Sequence, residues 1–199
     1  MHVPQDIIEF SLRWRRKGQQ YKYDKLEDYF DGFFTAFVLY NFLYELICDY
    51  DPSHFPQTGD RQRATEVAIR FLGSEAIASN QRIRTHTLEI KDAVESRNFY
   101  VRDTVWDNNR VKSLESRDAG QWAKNMLEII YQIRCNTFHG SKSFAWEQRT
   151  ILLPCIRILE AVNDMLIEKV DPSLALRRAI ASRLPPGNSA VANRPPLVS

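Results

Sequence analysis

Glycine is scarce in this chain, with 7 among 199 residues. An all-β sandwich draws on many glycine-bearing turns, so that class is disfavoured, and a collagen-like repeat is excluded. Cysteine is scarcer still. Cys48, Cys135 and Cys155 form no C-x-x-C pair and leave one thiol over. That excludes a disulfide scaffold and points to free thiols in a reducing cytosol. The four histidines, His2, His54, His86 and His139, make no H-x-x-H, H-E-x-x-H or Cys/His cluster, so neither a metal nor a cofactor is expected. No glycine-rich phosphate loop and no G-x-S-x-G elbow is present, which removes the familiar nucleotide-binding and hydrolase templates.

Long apolar runs are also wanting. The longest, Phe33 to Cys48, is 16 residues interrupted by Thr35, Asn41 and Glu45. It falls short of the ~20 residues that span a bilayer, so no membrane role is expected. The N-terminus lacks the charged-then-apolar order of a signal peptide, and a cytoplasmic protein is the expectation.

Excess charge of one sign is the last absence, with a net of +2 over the chain. The distribution says more than the sum. Residues 1–23 carry five basic and two acidic groups, and residues 171–199 carry four and one. Residues 24–170 hold 18 basic and 22 acidic groups. A mildly acidic middle does not coat nucleic acid through bulk charge, so any such binding needs a local cationic site.

What is present is helical periodicity. Apolar positions 26, 30, 33, 37, 40, 44 and 47 keep a spacing of three and four, predicting a central helix from about 25 to 49. Asp24 and Glu27 offer it a capping box, and Asp51-Pro52 ends it. A second helix is predicted from near Asp60 to Leu72, and a weaker helical segment from Ser74 to about Ser96. Residues 97–113 are polar and irregular. From Gln121 to His139 neither Gly nor Pro occurs, and Trp122, Met126, Ile129, Ile130 and Ile133 mark one apolar stripe. Asp118 and Gln121 suit its start, and Gly140 suits a left-handed stop. A last helix is predicted over 146–170, kinked or restarted at Pro154. The tail from Arg183 holds four of the nine prolines and reads as flexible. The expected organisation is a basic N-terminal segment (1–23), an all-α bundle of four to six helices (24–170) and a basic, Pro-rich tail (171–199).

The chemistry concentrates at YQIRCNTFHGSK, residues 131–142. Arg134 and His139 stand five apart at a helix end, separated by ~140° of rotation and ~7.5 Å of rise. Arg134 lies at the edge of the apolar stripe, where a half-desolvated guanidinium wants an anion. The plain alternative is an arginine on a carboxylate with a capping histidine. Asn136 lies between the two as active-site support or as a local cap. Asn41 and Glu45 share a face of the central helix, either as an orienting pair or as partners of a core arginine. Lys142 follows the motif as a phosphate contact or a solvated lysine. RWRRK at 13–17 sets an aromatic among cations, able to contact a base and phosphates or to form a solvated helix face.

IRCNTFHGSK, with FFTAFVLYNFLYEL upstream and an amphipathic helix downstream, resembles the HEPN superfamily (higher eukaryotes and prokaryotes nucleotide-binding domains) over about residues 24–170. The R-x4-H motif carries the resemblance. It implies an up-and-down helical bundle, commonly a homodimer whose two Arg/His pairs face one composite active site. It also implies, for many members, metal-independent endoribonuclease activity in toxins and antiphage effectors, with an antitoxin or regulatory protein as a further partner. The carry-over falls on Arg134 and His139. Cys135 stands where the family often has a polar residue, and Asn136 comes one later. Some members are non-catalytic, so the alternative for this chain is a catalytically silent HEPN dimer that binds RNA, a nucleotide or a protein.

Overall fold

The computed structural model describes residues 4–55, 59–96, 101–138 and 146–171. Among these the chain is all-helical, with eight α-helices and one short 3-10 turn. Seven of the helices lie within 24–170, against the four to six expected there, for two local reasons given below.

The first helix, α1 (Gln5–Gly18), arises within the basic N-terminal segment. Its inner face meets α2 (Leu26–Tyr50), where the Phe10 and Phe42 rings lie 4.6 Å apart. Trp14 packs on the core from the same face. The cations around it stay on α1's own surroundings: Lys17 sits 5.0 Å over the Trp14 ring, and Arg15 pairs with Asp164 at 2.6 Å.

α2 is the central helix, and its start is Leu26 with Lys25 at the cap position and no side-chain cap bond. The expected Asp24 capping box is therefore not used. By length and composition α2 passes as a membrane-crossing helix. Its apolar side chains are nonetheless spent on the core: Phe33, Phe37, Tyr40, Leu43, Tyr44 and Ile47 are all within 2 % of full burial. α2 packs against α1, α3 (Asp60–Leu72) and α8 (Arg149–Val170).

The segment after Gly73 is two helices. α4 (Ser74–Ser79) stops at Asn80, whose extended backbone and side-chain Oδ1 cap α5 (Gln81–Glu95) by accepting from Ile83 N at 3.2 Å. The polar stretch over 97–113 contains α6 (Thr104–Ser113). Asp103 caps it by accepting from Trp106 N at 2.8 Å. Buried Asp107 accepts from the backbone of Val101 and Arg102 at 2.9 and 3.0 Å. These two carboxylates, rather than an apolar stripe, define the element.

α7 (Ala119–Phe138) begins as expected, with Asp118 Oδ1 accepting from Gln121 N at 2.6 Å. It packs on α3, α4 and α6. The 3-10 turn Trp146–Gln148 leads into α8, which runs through Pro154 as one element rather than restarting there. α8 fills the space between α2 and α5. All three cysteines are free; Cys48 and Cys155 are buried and Cys135 is half-buried. The expectations placed on His139, Gly140, Lys142 and the tail from 172 lie outside the described residues.

Candidate functional site

Arg134 stands in the last turn of α7, one turn before Phe138. Its guanidinium is ringed by aromatics: Cζ lies 5.5 Å from the Phe37 centroid, 5.8 Å from Tyr131 and 5.2 Å from Phe138. The spacing explains two of the three. Tyr131 and Phe138 are three before and four after Arg134, so all share one face of α7. Phe37 comes from α2. A cation over π faces gains ~0.5–2 kcal/mol and is held by position rather than by a counter-ion.

No carboxylate among the described residues pairs with Arg134. Its one polar contact there is a long approach of Nη1 to the Cys135 sulfur, 3.9 Å. Its Nε is buried with no hydrogen-bond partner. The arginine-on-carboxylate alternative is thus not what these residues form. A guanidinium has five N–H donors, and most of them are uncommitted among the described residues.

Behind the aromatics runs a polar chain. Tyr131 Oη donates to Asp60 Oδ2 at 2.8 Å, and Tyr44 Oη donates to Asp60 Oδ1 at 2.7 Å. Tyr44 Oη is also 2.7 Å from Asn41 Oδ1, and its single proton serves one acceptor at a time. Burial, then the hydrogen bond to Asp60 and its charge, pushes the Tyr131 phenol up to about 12. The Tyr44 phenol is pushed up further, by burial first and by Asp60 second. Asp60 in this way joins Tyr44 to Tyr131, the ring that touches Arg134, and Asn41 is the alternative acceptor for the Tyr44 proton.

The other expected residues sit differently. Glu45 pairs with Arg63 at 3.2 Å, as a partner of a core arginine. Its carboxyl is raised above the usual range because desolvation outweighs the Arg63 charge. Asn136 is buried and clamped at both ends: its Nδ2 donates to Val101 O, and its Oδ1 accepts from Gln132 Nε2 at 3.0 Å. The clamp ties the segment ahead of α6 to the last turn of α7. His54 is exposed beside Asp51, and His86 is half-buried beside Glu89.

The sequence does not single out Tyr131, nor Asp60 and Tyr44 as a pair of anchors. The i−3 spacing of Tyr131 to Arg134 was the available signal. The Asp60 contact joins α3 to α2 and α7 and has no local signature. Among the described residues no three His, Cys, Asp or Glu side chains gather as a metal site. No family model, curated protein or solved structure matches the chain.

Proposed function

We propose that the protein is a metal-independent endoribonuclease of the HEPN type, a cytoplasmic homodimer acting as a toxin or antiphage effector. The observation that carries the reading is Arg134: a guanidinium caged by three aromatic rings, without a carboxylate partner among the described residues, five positions ahead of His139. Rings hold the cation in place but leave its N–H donors to an incoming anion.

In the proposed reaction the 2′-oxygen of RNA attacks the adjacent phosphorus and the bond from phosphorus to O5′ breaks. One His139 imidazole takes the 2′-OH proton, and the imidazole of the second protomer delivers a proton to O5′. Arg134 holds the phosphate and stabilises charge growing on its non-bridging oxygens. Lys142 adds a cation for the strand. The products are a 2′,3′-cyclic phosphate and a 5′-hydroxyl. Asp60, through Tyr131, supports the Arg134 cage, with Asn41 the alternative acceptor for Tyr44. An antitoxin or regulatory protein would act by covering this cleft.

A second reading has one observation behind it. Both ends of the Asn136 amide are engaged inside the chain, which suits a silent dimer that binds RNA, a nucleotide or a protein. One experiment separates the two. RNA is incubated in EDTA with the wild-type chain, with His139→Ala and with Arg134→Lys, which keeps the charge but not the planar fork. The enzyme reading expects cleavage with cyclic-phosphate ends, lowered about 10²-fold or more in each variant. Undiminished cleavage in the variants sinks it, and an inert wild-type chain that still binds RNA favours the silent dimer.

A further inference from the structure

A second site lies on the opposite flank of α2. Phe34, Phe37 and Asn41 face α7 and the Arg134 cage. Gly32, Thr35, Ala36 and Leu39, about half a helical turn round, line a cavity of about 290 Å³ closed by α1, α5 and α8. That volume sits at the small end of ligand pockets.

Its walls carry charge in an unusual ratio. Three guanidiniums, Arg15, Arg82 and Arg157, face two carboxylates, Glu160 and Asp164. Arg15 pairs with Asp164 at 2.6 Å. Arg82 and Arg157 share a single oxygen, Oε2 of Glu160, the Arg157 contact being 3.0 Å. Among the described residues, one carboxylate serving two guanidiniums leaves a surplus positive charge and several free N–H donors.

The cavity also collects unmet polar groups. Five buried side-chain atoms among the described residues lack a hydrogen-bond partner, and two of them, Tyr23 Oη and Asn163 Oδ1, belong to residues on this wall. Asn163 is 2 % exposed and its Nδ2 is already used on Ala36 O at 3.0 Å. An amide oxygen buried beside a cavity without a donor is costly, and native proteins rarely leave one so. Tyr23 is further marked by its backbone, at φ 60, where a non-glycine residue is strained. Arg157 lies 5.0 Å over its ring, and Gly32 lets that ring approach α2: a Cβ there would stand 2.9 Å from Tyr23 Cε1.

We propose that this cavity binds a small organic acid, phosphorylated or carboxylated, that also carries a neutral N–H or O–H donor. The acid group takes the free donors of Arg82 and Arg157, and the donor meets Asn163 Oδ1. The inference does not depend on the ribonuclease reading, because it uses another flank of α2 and none of the Arg134 cage.

The test uses the full chain and calorimetric titration with 4-aminophenyl phosphate and 4-aminobenzoate, each beside its donor-free counterpart, phenyl phosphate or benzoate. One or both amino-bearing acids should bind saturably, and which one binds distinguishes phosphate from carboxylate. The donor-free counterpart of the acid that binds should bind several-fold more weakly, and Arg82→Gln, at an exposed position, should weaken binding roughly tenfold. Arg134→Lys should leave it unchanged, even if that variant abolishes cleavage of RNA. No saturable binding of either amino-bearing acid at millimolar concentration overturns the proposal. So does binding indifferent to Arg82→Gln, and so does equal binding of the acid that binds and its donor-free counterpart, which takes away the donor to Asn163.

Discussion

At the scale of single residues, Asp60 is the busiest acceptor near the candidate site, taking the hydroxyls of Tyr44 and Tyr131. Each tyrosine must stay neutral to donate, because a phenolate beside a carboxylate repels it. This is why the Tyr131 phenol rises from 10 to about 12, with burial the larger cause and Asp60 the next. A raised folded pKa adds stability that is complete below the unfolded value and is lost as pH climbs through the folded one. The window for Tyr131 is therefore pH 10 to about 12. Tyr131→Phe should cost roughly 1–2 kcal/mol near neutrality, since Asp60 loses a donor to a charged acceptor. The deficit should shrink between pH 10 and 12, where the wild-type chain loses the same interaction. Urea unfolding across that range checks it, and a deficit that grows with pH would contradict the assignment.

At the scale of elements, the boundaries that were legible are those written in a long apolar period. α2, α3, α7 and α8 each carry one, and each lies within a residue or three of its expected span. α6 was not legible, because its ten residues bury only Asp107 and Val111. It exists through Asp103 at its cap and through Asp107 holding the two backbone N–H groups ahead of it. The break between α4 and α5 is likewise the work of one capping side chain, Asn80. These devices are single polar contacts, invisible to a periodicity. They are also exacting: Asp107 is 3 % exposed, so removing its carboxylate strands the N–H of buried Val101 and leaves that of Arg102 without this acceptor. Asp107→Ala should cost about 2–4 kcal/mol, against well under 1 kcal/mol for an exposed change such as Arg70→Gln. Because Asn136 grips Val101 from the other side, the same variant should loosen the last turn of α7. Hydrogen exchange at residues 134–138 reads that loosening, and unchanged protection there would show that the clamp does not couple the two helices.

At the scale of the whole molecule, the Arg134 cage was half legible. Tyr131, Arg134 and Phe138 share a face by spacing alone, whereas Phe37 and Asp60 reach it only because α2 and α3 pack beside α7. The cage also reaches the surface. Phe34 is 47 % exposed, and its ring lies 5.3 Å from that of Phe138, which covers the guanidinium. An exposed aromatic packed at a tilt against a ring of the candidate site is the kind of anchor a protein interface uses. On the proposed reading, the second copy of this chain seats there and completes the cleft with its own Arg134 and His139. Phe34→Asp places a charge at that anchor, and its side chain already faces water, so the fold should survive with its helical content intact. The dimer should weaken by tenfold or more, about 1.4 kcal/mol or above, because the seam loses its aromatic anchor and gains a carboxylate that must shed water to dock. Cleavage of RNA should fall in step with the dimer population and return as protein concentration rises. Sedimentation and cleavage are measured on the same dilution series. A variant that is monomeric yet cleaves at the wild-type rate would show that one Arg134/His139 pair is enough, and the composite site would have to be given up.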